Sequence, residues 1–144
     1  NTPFIVNSKI STESLTTKVS DGYQLNIGKV IGMQSQLYEA IDRVHPIEIT
    51  YPNQYDYKII VKIPKGYVIE NPDSLVFNKS YLSVMGNKIC KFESEYKLID
   101  NELVITIQEF YKTLTYQKNR YNEFRDVINS ASDFYNTSLK FVKN

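Results

Sequence analysis

The sequence predicts a mainly β protein: an antiparallel β-sandwich with one C-terminal amphipathic α-helix at about residues 119–135, followed by a final strand. Three observations carry that reading. Apolar and polar residues alternate with a period of two over most of the chain, and turn-forming dipeptides separate the alternating stretches. One segment near the C-terminus switches to helical spacing. Two packed antiparallel sheets bury the apolar sides of such strands, and a helix can cover an open edge or face.

From the N-terminus, residues 4–10, 14–20, 23–30, 47–51 and 75–84 carry β-branched or aromatic residues between turn formers and read as short strands. Asp21-Gly22 and Gly86-Asn87 mark hairpin turns, and Asn71-Pro72-Asp73 marks a loop. The stretch 33–40 fits neither period, since Leu37, Tyr38 and Ala40 share no regular spacing. Tyr57, Ile59, Val61 and Ile63 alternate with Lys58, Ile60 and Lys62 until Pro64-Lys65-Gly66 breaks the strand.

The clearest strand spans 88–98. Cys90, Phe92, Ser94, Tyr96 and Leu98 share one face, and Lys91, Glu93, Glu95 and Lys97 share the other, as expected of a strand with one buried and one wet side. Asp100-Asn101 tolerates positive φ and predicts a tight hairpin. The return strand, about 102–112, turns Leu103, Ile105, Ile107 and Tyr111 inward. Beyond it, Tyr121, Phe124, Val127, Ile128, Ala131, Phe134 and Tyr135 form a helical stripe of about four turns. Asn119 is the expected N-cap and Asn136 the expected left-handed stop. A last strand at 137–142 places Leu139 and Phe141 in the core.

The chain has 144 residues, one domain's length, with 17 Lys+Arg against 16 Asp+Glu, a net charge of +1. That balance argues against attachment to nucleic acid by phosphate neutralisation, and no apolar run approaches the ~20 residues of a membrane span. The lone Cys90 cannot form an internal disulfide, and the lone His45 rules out a metal site built on two histidines. The glycines form neither a dinucleotide-binding run nor a phosphate loop, so no motif implies a cofactor or metal. The chain starts at Asn1 without an initiator methionine or signal peptide, as expected of a piece of a longer polypeptide.

Three constellations invite chemistry. Cys90 and His45 are the residue types of a thiol hydrolase, but Cys90 shares a strand face with Phe92 and Leu98, where cysteine behaves as a small hydrophobe. Glu93 and Glu95 share a face at a spacing a glycosidase can use, yet Lys91 and Lys97 flank them as on a solvated strand. Asp100, Asn101 and Glu102 carry cation-ligating oxygens, but the turn explains them more simply. The remaining unusual feature is 12 Tyr with 7 Phe and no Trp. After the core positions are assigned, Tyr51, Tyr55, Tyr111 and Tyr116 remain as a candidate surface for a peptide or glycan.

Several signatures stand in a fixed order: Ile27-Gly28-Lys29-Val30-Ile31-Gly32, Gln34 and Tyr38, Arg43 and Pro46, then residues 57–63 and Ile63-Pro64-Lys65-Gly66-Tyr67. Phe92-Glu93-Ser94-Glu95-Tyr96, Ile107-Gln108-Glu109-Phe110-Tyr111 and the helix with Phe124-Arg125-Asp126-Val127-Ile128-Asn129 follow. This order, over most of 23–142, resembles the C-terminal β-rich domain of Bacteroidetes transglutaminase-like proteins. The resemblance implies an accessory β-sandwich module without catalytic residues of its own. The papain-like Cys-His-Asp core lies upstream, and nothing of it maps onto Cys90 or His45. It further implies export to the periplasm or cell surface, with the upstream domains of the same polypeptide as partners; a protein, peptide or glycan is the further partner class that the candidate tyrosines suggest. Residues 1–22 precede the best-marked segment and are expected to be a linker or a strand shared with the preceding domain.

Overall fold

A computed structural model describes residues 13–38 and 43–144. In chain order its strands are β1 (Thr16–Val19), β2 (Gly22–Leu25), β3 (Ile47–Glu48), β4 (Asn53–Lys62), β5 (Tyr67–Ile69), β6 (Phe77–Leu82), β7 (Lys88–Ile99), β8 (Glu102–Tyr111) and β9 (Thr115–Tyr116). The helix α1 (Tyr121–Tyr135) and strand β10 (Leu139–Lys143) follow. The expected fold class holds: the protein is mainly β, its sheets are antiparallel, and a C-terminal helix precedes a last strand. The expected strand at 4–10 lies outside the described residues.

The largest sheet has the order β4-β8-β7-β6, the second β1-β2-β10-β5, and a short ribbon joins β3 to β9. Its long hairpin, β7–β8, turns through Asp100 and Asn101, with Asp100 at φ 53° and Ile99 paired to Glu102. The short side chain of Asp tolerates that left-handed conformation, which is why this dipeptide closes the hairpin. Register then fixes the faces. Cys90 pairs with Tyr111, Phe92 with Glu109, and Ser94 with Ile107, while Tyr55, Tyr57 and Ile59 of β4 oppose Glu109, Ile107 and Ile105.

Onto this face packs α1, crossing β6 and β7. Phe134, fully buried, lies 5.9 Å from the ring of Phe77 and 5.8 Å from that of Phe92, in tilted and edge-on geometry. Nearly three turns earlier in the helix, Phe124 sits 4.7 Å from Tyr116 and 6.2 Å from Tyr111. The second sheet joins the same core through Leu139 and Phe141 of β10. That strand pairs with both β2 and β5, and β1 extends the same sheet beyond β2.

Three local expectations are corrected. The strand expected over 23–30 stops at Leu25, and Ile27–Ile31 forms a 3-10 turn that buries Ile27 and Ile31. Gly28 explains the change: a Cβ there would lie 1.9 Å from the Phe134 carbonyl oxygen, so this backbone is pressed onto the end of α1. Docking overrides the β propensity of Val30 and Ile31. Asn119 does not cap the helix; it lies in the turn Lys118–Arg120, and no side chain caps the N-terminus of α1. Arg120 anchors that end instead, donating to the Leu82 carbonyl at 2.7 Å and to both carboxylate oxygens of Glu123 at 2.5 and 2.6 Å. Asn136 has φ −87° and is not left-handed; its side-chain amide donates to the Ser132 carbonyl at 2.9 Å and closes the helix from within.

Phe134→Ala is expected to lower stability by about 3–5 kcal/mol, because the cavity opens between two sheet aromatics that cannot collapse onto the helix. Gly28→Ala is expected to cost about 1–3 kcal/mol through backbone overlap. Chemical denaturation checks both, and an unchanged midpoint for Phe134→Ala would mean that α1 is not docked on the sheet.

Candidate functional site

Parity along β8 places Glu109 on the inner face, between the positions of Ile107 and Tyr111. It is only 4% exposed. Beside it, β4 contributes Asn53, Tyr55 and Tyr57, which follow the same alternation opposite Tyr111, Glu109 and Ile107. From above, Phe124, Ile128 and Ala131 of α1 and the chain at Ile31–Ser35 close over this end of the sheet. Between them lies an open cleft of about 410 Å³.

The segment that roofs the cleft is strapped to the helix. Asn129 accepts from the Leu37 amide at 2.7 Å and donates to the Leu37 carbonyl at 3.0 Å, as a strand partner would. Tyr38 adds a hydroxyl bond of 2.6 Å to Asp133, and that carboxylate raises the Tyr38 pKa. Tyr57 reaches the Ile31 carbonyl at 3.5 Å. A stretch with no regular periodicity is thereby held in place by three polar side chains.

The polar groups inside are under-paired. Glu109 has one hydrogen bond among the described residues, from the Tyr111 hydroxyl at 2.7 Å. Burial raises its pKa above the ordinary carboxylate range, and the Tyr111 bond offsets this only in part. Burial, followed by the Glu109 charge, pushes the pKa of Tyr111 and of Tyr57 up in turn. Asn53 Oδ1 is buried with no hydrogen-bond partner. Orphaned acceptors of this kind are uncommon in native proteins and mark places where a donor is missing.

A second, larger cleft of about 610 Å³ lies along Asp56, Asn78, Lys91, Glu93 and Gln108. Its carboxylates are already partnered. Hydrogen bonds from Gln54 and Gln108, at 2.6 and 2.7 Å, hold the pKa of Asp56 down. Burial pushes Glu93 up, but its pairing with Lys88 and Lys91 outweighs this and lowers its pKa. Glu95 accepts from Thr106 at 3.3 Å. Glu93 and Glu95 thus belong to a paired, polar strand face, and the smaller cleft holds the unmet chemistry.

The residues singled out from sequence fall as follows. Cys90 is fully buried on the inner face, where burial and then the Glu109 charge push its thiol pKa up, whereas His45 is exposed in the loop before β3. Asp100, Asn101 and Glu102 form the β7–β8 turn and its first pair. Among the described residues no cluster of three acidic, histidine or cysteine side chains is arranged to hold a metal. Of the four candidate tyrosines, Tyr51 and Tyr55 are exposed at 63% and 45%, but Tyr111 and Tyr116 are core residues at 7% and 1%. The four therefore do not share one surface, because Tyr111 and Tyr116 pack beneath Phe124. Tyr111 is nonetheless part of the cleft, as is Tyr55. Glu109 and Asn53 were missed; the inward parity of β8 and β4 was the available signal.

Among known families, the model of a domain of unknown function with solved-structure structure (DUF3858) matches residues 12–141. No curated protein and no solved structure matches the chain. No helix among the described residues is long and apolar enough to cross a membrane.

The burial of Glu109 sets a pH dependence. With its folded pKa raised, the native state keeps a proton that the unfolded chain has already released, so native stability falls as pH rises through that window. The loss amounts to about 1.4 kcal/mol per unit by which the pKa is raised. Glu109→Gln keeps the shape and removes the titration. Its melting temperature is expected to match wild type below the ordinary carboxylate range and to exceed it increasingly above. Parallel profiles for the two proteins would contradict a raised pKa at this position.

Proposed function

The chain belongs to the DUF3858 family, and we propose that it is a non-catalytic accessory module of a larger transglutaminase-like protein of the Bacteroidetes type, exported to the periplasm or cell surface. In that setting it supports the catalytic core or binds a partner. One observation carries the non-catalytic part: the single cysteine is sealed in the core, 0% exposed, with its thiol held protonated by burial and by the Glu109 charge. A nucleophile needs the opposite surroundings, access and a cation or helix terminus nearby. The order of sequence signatures over 23–142 supports the transglutaminase-like context.

A peptide- or carbohydrate-binding role is the second reading. Tyr55 favours it: the ring is half-exposed at the mouth of the cleft and stacks on Tyr57 at 6.4 Å and 18°. A rigid aromatic edge beside a polar cleft is a usual element of small recognition sites.

Thiol alkylation checks the first reading. In the folded domain Cys90 is expected to react about a thousandfold or more slowly than in denaturant, at a rate set by transient opening. In the longer polypeptide, Cys90→Ala is expected to leave turnover unchanged, while deletion of 13–144 weakens the core or its partner binding. Rapid alkylation of the native fold, or turnover lost with Cys90→Ala, would make this domain catalytic.

A further inference from the structure

The Glu109 cleft combines three features that point to one ligand chemistry. Its under-paired polar groups, the Glu109 carboxyl with the Tyr111 hydroxyl as its one partner and Asn53 Oδ1 with none, both accept hydrogen bonds, so the missing group is a donor. Glu109 itself is buried, and no lysine or arginine among the described residues pairs with it. Arg125, whose Nε and Nη1 are also buried without a partner, does not line the cleft. The walls are aromatic: Tyr55, Tyr57, Tyr111 and Phe124.

We propose that this cleft binds an alkylammonium group, with Glu109 as its counter-ion, Asn53 Oδ1 as a second acceptor, and the surrounding aromatic rings as its walls. An ammonium carries three donors, enough for both acceptors. The aromatic faces favour a cation over a neutral donor, most strongly where water is excluded. A volume of about 410 Å³ is ample for a four-carbon chain ending in that group.

Pairing with a cation favours the charged carboxylate and so opposes the rise that burial gives the Glu109 pKa. The titratable groups that face Glu109 are Tyr55 and Tyr57 from β4, Cys90 from β7 and Tyr111 from its own strand. The helix side presents Phe124, Ile128 and Ala131, none of which ionises.

The inference rests on the domain being an interaction module, but its test is independent of Cys90. Calorimetric titration with n-butylammonium chloride, with 1-butanol as neutral isostere, reads the site directly. Butylammonium is expected to bind, with 1-butanol weaker by about tenfold or more. Glu109→Gln, which keeps the fold and the Tyr111 bond, is expected to lose about tenfold or more of that affinity. A third arm uses Nα-acetyl-lysine methylamide: affinity equal to or above that of butylammonium assigns the site to a protein lysine, and weaker affinity to a free small amine. Equal binding of butanol, equal binding by Glu109→Gln, or no binding of butylammonium overturns the proposal.

Discussion

The seating of α1 on the inner face of the largest sheet governs the rest of the structure. Phe134 wedged between Phe77 and Phe92 fixes one end, and Phe124 over Tyr111 and Tyr116 fixes the other. The strands alone would leave a half-wet sheet, because β4-β8-β7-β6 has an entire apolar face to cover. Once the helix lies there, its C-terminal end dictates where neighbouring backbone can run. Gly28 is pressed against Phe134 and its amide bonds to the Thr137 carbonyl at 3.2 Å, so the chain after β2 becomes a 3-10 turn. The short exit from α1 then delivers β10 between β2 and β5, locking the second sheet to the first through one core.

The same seating creates the cleft. The helix crosses β6 and β7 and leaves the β4–β8 side to be roofed by Ile31–Leu37, a segment without regular structure of its own. Asn129 and Asp133 hold that roof by side-chain hydrogen bonds, beside the packing of Ile31 and Leu37 against the core. A roof built this way leaves space beneath, and Glu109 sits in it with one partner. Burying a carboxyl with a single neutral donor costs stability, which is the usual signature of a group retained for something other than the fold. Around it the carboxylates Asp56 and Glu93 are paired, so the exception is confined to one place.

Much of this was legible in the sequence, for identifiable reasons. Strict alternation in β7 and β8 revealed the strands and their faces because one side is buried and the other wet. The switch to helical spacing at Tyr121 located α1 because its stripe is nearly unbroken. Element ends were less legible. Asn119 and Asn136 carry the usual capping residue types, but Arg120 and a side-chain bond from Asn136 perform those tasks through contacts distant in sequence or particular in geometry. The turn at Ile27–Ile31 is imposed by the helix, so local propensity pointed to the wrong structure. In the site, Tyr55 was identified for its exposure and Tyr111 for its position. Glu109 was overlooked because its charge suggested the wet face while its parity placed it inside. When charge and parity disagree on a strand, the disagreement itself marks the position to inspect.

The central claim is that α1 and its strapped roof enclose a carboxyl that lacks a counter-ion. Side-chain carboxyl NMR, with each glutamate resonance followed across pH, measures this directly. The expected result is that Glu109 titrates above the ordinary carboxylate range, and that Glu93, paired with lysines, titrates below it. Titration of Glu109 within or below the ordinary carboxylate range would show that water or an unseen cation already satisfies it, and the cleft would then have no unmet chemistry.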